Sequence, residues 1–161
     1  DTMKYKGQLW PEFRNEQRKM LDLIPNSGMA VCSDIGAKDD VHPTNKKDVG
    51  NRLARWALNK TYKLDIIPSG PLPLQAVFKK DKVIISFQFM GKVLSTSVGG
   101  ALKGFSLDGK NEVEAVIGDS GVIIFANEKP EYVYYGWTPF SNGNLVNSEN
   151  LPASTFKIKV Q

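Results

Sequence analysis

The chain of 161 residues holds a single histidine, His42, within Asp39-Asp40-Val41-His42-Pro43. One carboxylate stands two residues before it and another three before it. An imidazole is the side chain whose unperturbed pKa lies nearest neutrality, so it can take and return a proton at physiological pH. A carboxylate bonded to its far nitrogen fixes the tautomer and stabilises the imidazolium that forms while a serine is acylated. A lone histidine is by itself more often structural, and the neighbouring acids are what single this one out. Either Asp39 or Asp40 can be the partner. Pro43 restricts the backbone after the histidine, and Thr44 is placed to cap a following helix.

The second half of such a site is harder to find. The chain has no Gly-x-Ser-x-Gly elbow, and no serine with small neighbours between a strand and a helix. The loop therefore reads as half of a hydrolytic centre. With one Cys and one His, a four-ligand metal shell of those residues cannot be assembled, and no cofactor motif occurs. Gly99-Gly100 and Asn142-Gly143-Asn144 read as turn chemistry rather than a phosphate cradle. Cys32, in the apolar run Met29-Ala30-Val31-Cys32, reads as a buried structural thiol.

Lys and Arg number 21 against 17 Asp and Glu, a net charge of +4. The basic residues are dispersed as pairs such as Lys46-Lys47 and Lys79-Lys80, which argues for solvated faces rather than nucleic-acid binding. No apolar run approaches the roughly 20 residues that span a bilayer.

The elements that must carry the Asp-His loop lie before Pro68-Ser69-Gly70-Pro71-Leu72-Pro73, a segment that can continue neither a helix nor a central strand. Trp10-Pro11 opens a helical pattern with Phe13, Gln17, Met20, Leu21 and Ile24 on one side, ended by Pro25 and Asn26. Gly28 to Ser33 reads as a buried strand. Beyond the loop, Val49, Leu53, Trp56 and Ala57 recur at helical spacing to about Lys60. Helix, strand, loop, helix is the tail of an open α/β sheet, in which ligands gather at the carboxyl ends of strands. The strand, apolar and without neighbours here, predicts a second segment packed against residues 1–67. Asp34 reads as satisfying turn amides.

From residue 68 onward the chain changes period. Short β-branched or alternating runs predict strands at 76–79, 83–89, 104–107, 112–117, 122–126, 132–137 and 156–160, a spacing that suggests an all-β sandwich. Lys80-Asp81-Lys82 and Asp108-Gly109-Lys110-Asn111 read as hairpin turns. Tyr132, Tyr134, Tyr135 and Trp137 fit a strand packed on both faces better than a sugar-stacking platform.

Taken together, Ile24-Pro25-Asn26-Ser27-Gly28-Met29-Ala30-Val31, Ser33-Asp34-Ile35-Gly36, Asp40-Val41-His42-Pro43 with the following run to Ala54, Gly104-Phe105-Ser106-Leu107, Asn144-Leu145-Val146-Asn147 and Leu151-Pro152-Ala153-Ser154-Thr155-Phe156 resemble the carboxyl-terminal third of the sialate O-acetylesterases. These are carbohydrate esterases of the flavodoxin-like serine hydrolase group called SGNH. The resemblance implies an α/β fold, the end of an SGNH hydrolase sheet over residues 1–67, followed by a β-sandwich over 68–161. It implies that His42 is the catalytic base, with Asp39 at the usual spacing for the acid and Asp40 at the spacing common among sialate esterases. It also implies a serine supplied by a segment or subunit upstream of Asp1, an O-acetylated carbohydrate as substrate, no cofactor, and a secreted or periplasmic location. The alternatives are an esterase acting on acetylated xylan, or a noncatalytic β-sandwich that binds glycan or braces a hydrolase domain.

Overall fold

The computed structural model describes residues 7–40 and 42–161, so Val41 of the Asp-Val-His sequence lies outside the described residues. After a short 3₁₀ turn at Gly7–Leu9, two helices form, α1 at Trp10–Leu23 and α2 at Lys46–Lys60. Nine strands follow: β1 Leu72–Lys79, β2 Lys82–Gln88, β3 Ser95–Thr96, β4 Phe105–Ser106, β5 Val116–Gly118, β6 Gly121–Phe125, β7 Tyr132–Tyr135, β8 Leu145–Val146 and β9 Phe156–Lys159. No described helix is long and apolar enough to cross a membrane.

All the strand ladders are antiparallel, in a four-stranded sheet ordered β1-β2-β6-β5, a three-stranded sheet β4-β7-β9 and the pair β3-β8. Lys79 pairs with Lys82, so Lys80-Asp81 is a two-residue hairpin loop, and Lys80 takes the positive φ (61°) that primed turns require at their first loop position. The Asp108-Gly109 turn is closed by a Ser106–Glu112 bridge, with the Asp108 carboxylate accepting from the backbone N–H groups of Lys110 and Asn111 at 2.8 Å each. The two larger sheets share one core. Val83, Ile85, Val122 and Ile124 of the first meet Phe105, Val133, Tyr135 and Phe156 of the second, all at most 2% exposed, and the Phe87 and Phe156 rings lie 5.9 Å apart. The sheets are also stitched along one edge, where Ala76 bridges Val160 in parallel and the Phe78 N–H donates to the Gln161 carbonyl.

Three sequence expectations are corrected here. Gly28–Ser33 runs as coil and forms no ladder, because among the described residues no strand lies beside it to share hydrogen bonds. The expected strand 112–117 shrinks to Val116–Gly118, since Glu112 and Ala115 find only isolated bridging partners. β1 begins inside the proline-dense segment, which an edge position and a register shift between Pro73 and Gln75 make tolerable. The pairs β3 and β8 are too short to show alternation in sequence.

The docking of α1 inverts its amphipathic pattern. Its buried residues are Pro11, Asn15 and Arg18, while Phe13 is 53%, Met20 47% and Leu23 76% exposed. Asn15 Oδ1 accepts the β9 backbone N–H of Lys157 at 3.1 Å and also two bonds from Arg18. Arg14 reaches the far end of β7, donating to the carbonyls of Gly136, Thr138 and Pro139 and to Thr155 Oγ1. The polar face thus grips the β region, and the apolar face looks outward.

Candidate functional site

The Asp-His loop follows a turn that α2 holds in place. Arg52 of α2 grips Asp34 through a two-pronged ion pair, both bonds 2.6 Å, and donates a further bond to the Val31 carbonyl. Burial opposes the Arg52 charge, but the bonds to Asp34 outweigh it and raise the guanidinium pKa. One turn further along α2, Trp56 Nε1 donates to the Met29 carbonyl at 2.9 Å. Gly28 passes so close beneath that indole that a Cβ there would sit 2.6 Å from it. Asp34 therefore braces the loop through Arg52 rather than through turn amides, and the bidentate geometry requires a guanidinium. No pattern in the sequence points to a partner 18 residues away. The helix is capped by Asn45, whose Oδ1 accepts the Asp48 N–H at 3.2 Å, rather than by Thr44.

An open cleft of about 1070 Å³ lies between α1, the coil at 29–33, the loop at 36–40 and the segment 139–141. Its lining includes Trp10 and Phe13 of α1, Val31 and Cys32 of the coil, and Asp39 and Asp40 of the loop. Burial pushes the Cys32 thiol up, with Arg52 opposing it, which keeps it a poor nucleophile. Ser154, 2% exposed, also borders the cleft, and its Oγ has no hydrogen-bond partner among the described residues.

The structure brings Asp39 and Asp40 to this cleft but not His42, and it joins neither acid to the imidazole. Asp40 Oδ1 accepts the His42 backbone N–H at 2.7 Å, so that carboxylate closes its own turn. Asp39 faces the cleft, and His42 is exposed beside Pro43, which lines the cleft while His42 itself does not. Among the described residues the His42 ring makes no hydrogen bond to either acid.

Sequence reasoning passed over a Gly-Asp-Ser triplet, Gly118-Asp119-Ser120. Gly118 pairs with Gly121, which makes Asp119 and Ser120 the exposed turn of the β5–β6 hairpin rather than a strand-to-helix junction. Neither residue lines the cleft that holds Asp39 and Asp40.

The aromatic cluster also differs from expectation. Val133 and Tyr135 enter the core, whereas Tyr132 and Tyr134 are half-buried on the outer face. Gly136 then adopts a left-handed conformation (φ 60°) and breaks the alternation, bringing the Trp137 ring within 5.3 Å of Tyr134 instead of beside Tyr135.

No protein-family model and no curated protein matches this chain. Among solved structures, it is similar to a carbohydrate acetylesterase from Xanthomonas citri, with 36% sequence identity and a TM-score of 0.82. The match covers 96% of this chain and 38% of that protein, so the chain spans well under half of its relative's length.

Proposed function

We propose that this chain is the carboxyl-terminal portion of a serine-dependent carbohydrate O-acetylesterase, with an SGNH-type hydrolase sheet completed by polypeptide outside these residues. The observation that carries the reading is 36% identity across 96% of the chain to a carbohydrate acetylesterase of the same fold. The uncovered apolar side of α1 supports the second part. Trp10 and Phe13, 38% and 53% exposed, line the cleft with Asp39 and Asp40, and Met20 and Leu23 further along the helix are 47% and 76% exposed.

In this reading His42 takes the proton from the serine hydroxyl as it attacks the acetyl carbonyl, returns it to the departing sugar hydroxyl, and then activates water to release acetate. Asp39 orients the ring. The engagement of Asp40 with the His42 backbone favours that assignment, because a carboxylate closing its own turn is poorly placed to bond the imidazole. The substrate proposed is an O-acetylated sugar, sialic acid by the resemblance in sequence, with acetylated xylan as the competing substrate. Export from the cytoplasm belongs to the same proposal.

The test is acetate release by the full-length protein from acetylated sialic acid and acetylated xylan. In an enzyme of this mechanism, His42→Ala should lower turnover by about a million-fold and Asp39→Ala by about ten-thousand-fold, whereas Asp40→Ala should act mainly through loop order. Acetate release by His42→Ala within tenfold of wild type excludes the assignment of the base.

A further inference from the structure

We propose that a groove on the opposite flank of α1 from the cleft is a second carbohydrate site, binding a neutral glycan chain away from the reacting ester. The proposal rests on the esterase reading for its biological sense but on separate residues for its chemistry. At about 100° per helical residue, Trp10, Phe13, Arg14 and Gln17 on the cleft side stand across the helix from Glu12, Glu16 and Lys19 on the groove side. The same helix therefore walls both concavities.

The groove measures about 510 Å³, within the range of ordinary ligand sites. Its floor is aromatic. Tyr132 and Tyr134 project from β7, and the left-handed Gly136 turns Trp137 onto their side, giving successive ring separations of 6.2 and 5.3 Å. The rings are inclined at 59° and 67° to their neighbours, so they line the groove as three successive apolar surfaces rather than one flat platform. The Asp108-Gly109 turn packs against this aromatic surface, and only a residue without a Cβ fits so closely, since a Cβ on Gly109 would lie 3.2 Å from Tyr134 and 3.4 Å from Trp137.

The polar fringe suits hydroxyl groups, which both donate and accept. Glu12, Glu16 and Asp108 contribute three carboxylates, and Lys19, Lys110 and Lys157 three ammoniums, so the groove carries no net charge. Glu16 is already paired with Lys19 at 2.7 Å, and Asp108 is held by the backbone N–H groups of its own turn. The Lys157 ammonium sits 4.2 Å from the centre of the Tyr132 ring and 5.4 Å from that of Tyr134, a donor held directly over the aromatic floor. Glu12, Lys110 and Lys157 thus remain on the groove lining as one acceptor and two donors. A strongly anionic or cationic ligand gains nothing from this balance, whereas a neutral polysaccharide finds ring faces and both kinds of hydrogen-bonding partner.

The experiment uses the full-length protein and measures retention by deacetylated xylan and by partly acetylated xylan in affinity electrophoresis, alongside acetate release by the wild type. Retention of the wild type by both forms is expected, because the groove reads ring faces and hydroxyls rather than acetyl groups. The double variant Tyr134→Ala/Trp137→Ala should lose at least about tenfold in affinity, the usual consequence of truncating aromatic anchors. Trp137→Phe, which keeps a ring, should retain affinity within about threefold and shows that the loss is not misfolding. Equal retention of the double variant and the wild type, or no retention of the wild type by either form, overturns the site. Failure of the esterase reading would appear separately, as absent acetate release from a protein that still binds xylan through Trp137.

Discussion

Asn15 is the joint on which both flanks of α1 depend, and its replacement by alanine tests whether the helix is held by polar contacts. The side chain is 2% exposed, and its single oxygen accepts the Lys157 N–H at 3.1 Å and two guanidinium bonds from Arg18 at 3.0 and 3.3 Å. Arg18 is 9% exposed, and burial lowers its pKa, with Asp22 and Glu16 partly opposing, so its charge needs a nearby acceptor. Asn15→Ala leaves a backbone amide without a partner, at about 1–3 kcal/mol, and removes a charged hydrogen bond of about 1.5–3 kcal/mol. Taking the lower ends, the docking of α1 should weaken by about 2.5 kcal/mol, or close to a hundredfold. Native-state hydrogen exchange would read this as a hundredfold loss of protection in the amides of Trp10–Leu23, with β2 and β6 little changed. Asn15→Asp keeps an acceptor beside Arg18 and should recover most of the protection. If Asn15→Ala protects α1 within threefold of wild type, polar docking is not what holds the helix.

Asn147 provides a second stability test. It is 1% exposed, donates to the carbonyls of Ser69 and Phe89 at 2.9 and 2.8 Å, and accepts the N–H groups of Glu149 and Leu151 at 3.1 Å each. Asn147→Ala strands four backbone groups and should cost about 4 kcal/mol, lowering Tm by about 8–16 °C in a calorimetric melt; a shift under 3 °C would show that water replaces the amide. Asp108 gives a pH test. The backbone N–H groups of Asn111 and Lys110 hold its carboxyl at about 2, below its ordinary 3.8. A folded pKa depressed in this way contributes stability that is present above 3.8 and lost as pH falls through about 2. The amide resonances of Lys110 and Asn111 should therefore titrate with a midpoint near 2, and a midpoint near 4 would mean that the turn does not bind the carboxylate.

The parts legible in the sequence were those fixed by local chemistry. Both helices appear within a residue or two of their expected bounds, because the Trp10-Pro11 start and the 49-53-56 spacing need no distant partner. The Lys80-Asp81 and Asp108-Gly109 turns are likewise where their residues demand them. What depended on distant partners was not legible. The apolar run Met29–Cys32 has the composition of a strand but lacks a neighbour here. Tyr132 and Tyr134 follow the strand alternation onto the outer face, and the expectation that Trp137 joins Tyr135 in the core failed at Gly136, one left-handed residue that no alternation rule includes. At the candidate site, the chain order Asp39, Asp40, His42 is visible in the sequence, but the diversion of Asp40 onto the His42 backbone is a property of the turn.

The inverted helix explains why the rest of the arrangement is coherent. An amphipathic stripe in sequence says that a helix buries one face and not which neighbour covers it. In α1 the β region takes Pro11, Asn15 and Arg18, a mostly polar set held by directional bonds, and leaves Phe13, Met20 and Leu23 in solvent. Completing the burial of three such half-exposed side chains is worth about 1 kcal/mol each, enough to favour a closely tethered hydrophobic neighbour by roughly a hundredfold. Hydrogen bonds orient the helix against β9, and apolar surface remains to recruit whatever closes the cleft. Asp39 and Asp40 line the same cleft as Trp10 and Phe13 of α1, so in the proposed esterase the segment that covers this helix is the one that brings the serine to His42.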